Sequence, residues 1–233
     1  MLHLFVSGIC PQPSMLDTID PILGTLDPAM SCNNDGGPVG EGGTQLSANI
    51  KAGTNITAVY GLWLHPYGPA TVYMARCPGS CTDSNSRELK WFKIDHVGLI
   101  RGTIVYAAST WFRFILDQPL SACRDGDWGS GVVSKTGVYT VTIPAALADG
   151  EYLIRHELIA IHAYWAGPQF YIECAQLKVV GGRGKLPSDE YLVSFPGAYK
   201  ASDPGLNVDL YSPEAPTITT YELPGPAVWT GED

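Results

Sequence analysis

The chain has 233 residues, 45% of them hydrophobic, with Lys+Arg 14 against Asp+Glu 23 for a formal net charge of −9. That length supplies one sizeable core and excludes a disulfide miniprotein, and a mean hydropathy of +0.04 excludes a disordered chain. The acidic balance repels a nucleic-acid backbone or an anionic lipid surface, and no apolar run is long enough to span a bilayer, so neither nucleic acid nor membrane is an expected partner.

Gly 26 and Pro 18 suit many turns and short strands rather than a helical bundle, which makes all-β the expected class. At the start, Met1 to Cys10 lacks a basic stretch and is followed by Pro11 and Pro13, so no complete signal peptide is read there and the chain is expected to be mature or to have a displaced start. Strand-length segments rich in β-branched and aromatic residues then follow at 56–63, 69–77, 89–95, 137–144, 152–162 and 169–180. Turn signals such as Gly53-Thr54-Asn55, Pro78-Gly79, Asp149-Gly150 and Gly181-Gly182 separate them at the spacing of an antiparallel sandwich. The end, 186–233, is rich in Pro, Gly, Ser and Tyr, and its aromatics predict a long ordered loop wrapped on the core rather than a tether. One domain over 1–233 is expected, without a linker or an added carbohydrate-binding module.

Asn55-Ile56-Thr57 is an N-glycosylation acceptor, and the six cysteines are an even number. Cys77-Pro-Gly-Ser-Cys81 brackets a tight turn that a short bridge could close, whereas Cys10, Cys32, Cys123 and Cys174 stand singly, unlike the paired spacing of a zinc site. These features point to a secreted, extracellular protein with structural disulfides.

The histidines His3, His65, His96, His156 and His162 are the main candidates for chemistry. His156-Glu157 begins like a zinc-protease helix motif, but Ala160 stands where the second histidine would be needed. Read as a strand, 152–162 sends His156, Leu158, Ala160 and His162 to one face and Arg155, Glu157, Ile159 and Ile161 to the other. His162 then reaches a loop-built site at the strand's end, while His156 reads as a hydrogen-bonded core residue and Arg155 and Glu157 as structural. The same alternation puts Gln169 and Tyr171 together on one face of the next strand.

Six segments occur here in one order: His65-Pro-Tyr-Gly-Pro69, Trp91-Phe-Lys-Ile-Asp95, Tyr139-Thr-Val-Thr-Ile-Pro144, the run from Gly150 to His162, Gln169-Phe-Tyr-Ile-Glu-Cys-Ala-Gln176, and Tyr221-Glu-Leu-Pro-Gly-Pro226. Together they closely resemble the fungal cellulose-active lytic polysaccharide monooxygenases of auxiliary activity family nine, formerly glycoside hydrolase family sixty-one, over about residues 27–229. The resemblance implies an immunoglobulin-like or fibronectin-like antiparallel β-sandwich with long loops. It implies one copper ion as cofactor, oxygen or hydrogen peroxide as co-substrate, and an external electron donor such as cellobiose dehydrogenase or a small phenol. The implied substrate is cellulose or a related β-1,4-glucan, oxidised at a glycosidic C–H bond, and the implied state is a monomer.

Carried over by position, His65 resembles the internal copper histidine, Tyr171 the axial residue, and His162 and Gln169 the neighbours that hydrogen-bond the oxidant. Tyr211 is similar to the tyrosine of the flat cellulose-facing surface, and Trp165, in the loop before Gln169, is a second candidate surface aromatic. Imidazole and amine nitrogens in a tetragonal set suit Cu(II) and still hold Cu(I). The resemblance pairs Cys32 with Cys174, and Cys10 with Cys123 follows by subtraction. His3 resembles the family's first residue, whose free amine and ring both bind copper, but here Met1 and Leu2 precede it and its nitrogen is a peptide amide. If His3 is never amino-terminal, the alternative is a non-catalytic sandwich that binds polysaccharide or copper.

Overall fold

The computed structural model of the protein describes residues 2–5, 20–33, 36–38, 45–102, 104, 127–162 and 166–232, the first of these by backbone alone. Cys10, Cys123 and Trp165 lie outside them, and so do the bridge expected of the first two and the surface role expected of the third.

Among the described residues the strands are β1 (Leu2–Phe5), β2 (Ser47–Lys51), β3 (Asn55–Val59), β4 (Ala70–Arg76), β5 (Trp91–Val97), β6 (Leu99–Arg101), β7 (Asp127–Trp128), β8 (Val138–Thr142), β9 (Gly150–Ala160) and β10 (Gln169–Val180). They form one sheet of order β1-β3-β8, a second of order β2-β10-β9-β4-β5, and the small pair β6-β7. The expected β-sandwich is therefore present, and its central pairings are antiparallel. Two edge pairings run parallel instead, β1 on β3 and β2 on β10.

The inner core joins the sheets through Ile56, Val141 and Ile143 on one side and Val72, Met74, Ile154, Leu158 and Leu177 on the other. The outer face of the five-stranded sheet is also covered, by Ile22, Met30, Phe195, Tyr199 and Leu206 from loops and tail. This double burial explains why β9 reads as an almost unbroken apolar run rather than as a clean alternation. The tail segment expected to wrap the core does so: Trp91 bridges Val193 and Lys93 bridges Val228. Disulfides Cys32–Cys174 and Cys77–Cys81 tie the outer layer down.

Helix α1 (Gly129–Thr136) was not legible, because Gly-Ser-Gly-Val-Val-Ser-Lys-Thr has poor helix propensity. Contact decides it. A Cβ on Gly129 would fall 2.1 Å from the Val97 carbonyl oxygen and one on Gly131 2.8 Å from that of Pro66, so only glycine lets the helix dock here.

The expectation of a hydrogen-bonded His156 is corrected. The residue is 3% exposed, but neither ring nitrogen has a partner among the described residues. Burial pushes its imidazole down to about 4. Between the ordinary value near 6.5 and about 4 the unfolded chain binds a proton that the folded chain refuses, so this residue's contribution to stability falls as pH drops through that window. Glu173, directly opposite on β10, has the reverse slope, because burial raises its carboxyl to about 7. We predict that His156→Leu removes up to about 3 kcal/mol of acid-side loss between pH 6.5 and 4. Urea unfolding at several pH values measures it. Parallel stability profiles for the two proteins would refute the assignment.

Candidate active site

The chain leaves β3 at Val59 and enters β4 at Ala70, crossing from one sheet to the other, and His65 lies in that crossover. Backbone bonds pin the loop at its ends: Tyr60 N–H donates to the Gly137 carbonyl at 2.8 Å, Ile161 N–H to that of Tyr67 at 3.0 Å, and Ser130 N–H to that of Gly68 at 3.0 Å. Gly68 has φ of +135°, and a Cβ there would lie 1.9 Å from the Ile159 carbonyl oxygen. The glycine of His-Pro-Tyr-Gly-Pro thus lets the loop press onto the end of β9.

From the other sheet, the end of β9 presents His162 and the start of β10 presents Gln169 and Tyr171, on the face that alternation predicts. Gln169 Oε1 accepts from Tyr171 Oη at 3.0 Å and lies 2.8 Å from His162 Nε2. A carbonyl oxygen can only accept, so His162 carries its proton on Nε2. The phenol's single hydrogen is committed to Gln169. The 3.2 Å contact between Tyr171 Oη and His65 Nε2 is then made by an Nε2–H of His65. The His65 and His162 rings stand at 89° with centroids 5.1 Å apart.

Burial, then the neighbouring His162, holds the His65 imidazole below its ordinary value, while burial and the charge of Asp20 push the Tyr171 phenol up. A metal ion needs an unprotonated imidazole nitrogen, so His65 Nε2 could hold one only after giving up the proton that it donates to Tyr171 Oη. Copper fits this donor set, with one imidazole nitrogen facing one weak neutral oxygen. Among the described residues no group of three His, Cys, Asp or Glu side chains converges to hold a metal, so further donors have to come from elsewhere in the chain.

The backbone of His3 is described, but not its side chain. The residue pairs with Thr57, about 7 Å before the end of β3 that leads to His65. Tyr211 is half-buried on a cluster with Trp128, Ile161 and Leu210, and its N–H donates to Asp209 Oδ1 at 2.9 Å. A cavity of about 310 Å³ adjoins the site, walled by Leu23, Ile161, His162, Pro168, Leu206 and Val208. Asn55 is exposed at the start of β3, where its Oδ1 accepts from Thr142 Oγ1 at 2.8 Å. Sequence reasoning missed Trp63, whose ring meets both His65 and Tyr171. Its position two residues before the histidine was the available signal.

The profile of Auxiliary Activity family 9 (formerly GH61) matches residues 11–221. The chain belongs to auxiliary activity family 9. It is 45% identical over 216 residues to the AA9 family lytic polysaccharide monooxygenase B of Heterobasidion irregulare, covering 92% of this chain and 79% of that one. The crystal structure of HiLPMO9B superposes with a TM-score of 0.78 at 44% identity, covering 92% of this chain and 85% of that one. A cellulose-active polysaccharide monooxygenase from M. thermophila gives 0.74 at 33% identity, covering 97% and 92%. His65, His162, Gln169 and Tyr171 all fall within the stretch matched by the family 9 profile; His3 precedes it.

Proposed function

We propose that this family 9 chain is a copper-dependent monooxygenase that breaks cellulose, or a related β-1,4-glucan, by oxidising a glycosidic C–H bond. The carrying observation is the hydrogen-bonded row of His65, Tyr171, Gln169 and His162. His65 Nε2 would hold the copper, with Tyr171 Oη as a weak oxygen donor beside it, and the amine and ring of His3 would complete the set once that residue is amino-terminal. Copper, when bound, supplies one-electron chemistry and activation of oxygen or peroxide. Gln169 fixes which His162 nitrogen holds a proton, so His162 offers an N–H donor at a set position beside His65. Tyr171 closes one side of the site with a protonated phenol. Tyr211 offers a flat aromatic surface for a glucose ring, which binds a polymer face without a pocket. The disulfides and the Asn55 acceptor triplet support secretion, where cellobiose dehydrogenase or a small phenol supplies electrons.

We predict that His65→Ala leaves only weak copper binding. Tyr171→Phe keeps the metal but alters the Cu(II) spectrum and slows turnover. His162→Ala lowers the rate by about 10²-fold with affinity little changed. Isothermal titration and chromatography of oxidised oligosaccharides measure these. Loss of copper from His162→Ala would make it a ligand, and unchanged rate would put the site elsewhere.

One observation favours a second reading, a sandwich that binds glucan or copper without catalysis: the backbone seats His3 opposite Thr57, preceded by two residues.

A further inference from the structure

We propose that Trp63 is a positioning residue that sets the orientation of His65, an inference that rests on the copper reading of that histidine. Backbone bonds do not set the ring by themselves. The loop is held on one side of His65 by Ser134 Oγ, which donates to the Trp63 carbonyl at 3.1 Å, and on the other by the Tyr67 carbonyl accepting from Ile161 at 3.0 Å. What the imidazole plane does between those anchors is decided by side chains. The indole meets the His65 ring at 65° with centroids 5.2 Å apart and the Tyr171 ring at 86° with centroids 4.8 Å apart. His65 and Tyr171 themselves are 5.5 Å apart and tilted by 30°. The three rings therefore form a closed triangle in which the indole is the wedge, each contact in the edge-to-face arrangement that aromatic quadrupoles favour where the indole takes part.

Ordinary core filling does not account for the residue type. Trp63 Nε1 is buried and has no hydrogen-bond partner among the described residues, a cost that phenylalanine would avoid. The fused ring's extra width lets one side chain touch both His65 and Tyr171. With the wedge present, His65 Nε2 is aimed at Tyr171 Oη; without it, the imidazole can rotate about its χ2 and the two donors no longer face one point. Trp63 touches no reacting atom and acts through His65.

The test compares the metal-free and copper-loaded native protein with Trp63→Phe and Trp63→Leu, using Phe92→Leu in the far inner core as a control matched for loss of Tm. In the metal-free proteins, nitrogen-15 spectra of the histidine side chains are expected to show the His65 resonances displaced and broadened in both Trp63 variants and unmoved in the control. Copper affinity is expected to fall about tenfold with an altered Cu(II) electron-paramagnetic spectrum. Unmoved His65 resonances, or an affinity within twofold of native, would overturn the proposal and leave Trp63 as core packing. If Trp63→Leu does not fold, Ser134→Ala removes only the hydroxyl that holds the Trp63 carbonyl and is expected to shift the same resonances less, and no shift counts against the proposal. Should the native protein itself bind no copper, the copper reading falls, and the metal-free spectra alone decide whether Trp63 orients His65.

Discussion

A chain trimmed to begin at His3 is expected to bind Cu(II) on the order of a hundredfold more tightly than the chain that starts Met1-Leu2, and to release oxidised sugars from cellulose when given a reductant. The reason is the nitrogen of His3. As a terminal amine it has an ordinary value of about 8 and yields its proton to copper readily, closing a chelate ring with its own imidazole; as a peptide amide it does not. The backbone adds a second obstacle. Because β1 lies parallel to β3, Leu2 sits opposite Ile56 and Phe5 opposite Val59, so the chain enters at the end of β3 away from the His65 loop. Trimming should therefore change the pairing of β1 as well as the metal affinity, and amide spectra of β3 report that change. His65→Ala in the trimmed chain is the control and should bind weakly. Equal weak binding and no oxidised product from both forms would favour the non-catalytic sandwich, and equal strong activity from both would remove His3 from the ligand set.

Glu157→Gln is expected to cost about 3–5 kcal/mol of stability without touching the His65–Tyr171 site. The side chains of Arg155 and Glu157 are fully buried and paired at 2.8 Å between Nη2 and Oε1. The remaining carboxylate oxygen accepts from Thr71 Oγ1 at 2.7 Å and Tyr199 Oη at 2.5 Å. Arg155 in turn donates to the carbonyls of Met30 and Ser31 and stacks over Phe195, 4.0 Å from its ring centre. Nearby Lys93, also buried, donates to the Pro224 carbonyl at 2.7 Å, and burial brings its amine down to about 8 while the charge of Glu157 supports its protonated form. Glutamine preserves shape but removes the one negative charge at the centre of this group, leaving the guanidinium uncompensated. Urea unfolding measures the loss. The double variant Arg155→Met, Glu157→Met should lose less than the two single variants together, because the orphaned charge is gone; strictly additive losses would mean that the pair contributes no coupling.

Strands β4, β5, β8, β9 and β10 were legible because they carry long β-branched or aromatic runs that end at glycine or proline. Strand β2 has the short run Ser-Ala-Asn-Ile-Lys with little apolar content, and its place comes from pairing beside β10. The predicted strand at 56–63 stops at Val59, since Gly61 and the pins at Tyr60 and Trp63 turn the segment into the site loop. Alternation placed Gln169 with Tyr171 and aimed His162 at the strand's end. It could not show that one glutamine oxygen serves both neighbours, nor that His156 is buried without a partner among the described residues, because those facts depend on which residues from other strands come close.

His65 hangs from the segment that carries the chain from the β1-β3-β8 sheet to the five-stranded one, whereas its three partners are fixed to β9 and β10. That segment works as a spacer whose length is set by covalent geometry, and only its Tyr60 and Trp63 pack against the inner core that joins the sheets. Doubling a flexible loop costs only about 0.6 kcal/mol in closure entropy, so insertions between Val59 and Ala70 leave the sandwich standing. They would instead alter how far the imidazole reaches toward Tyr171. In this architecture variation in the crossover can retune or silence the centre without a matching penalty in folding, so an intact sandwich says little about whether a given sequence still does the chemistry.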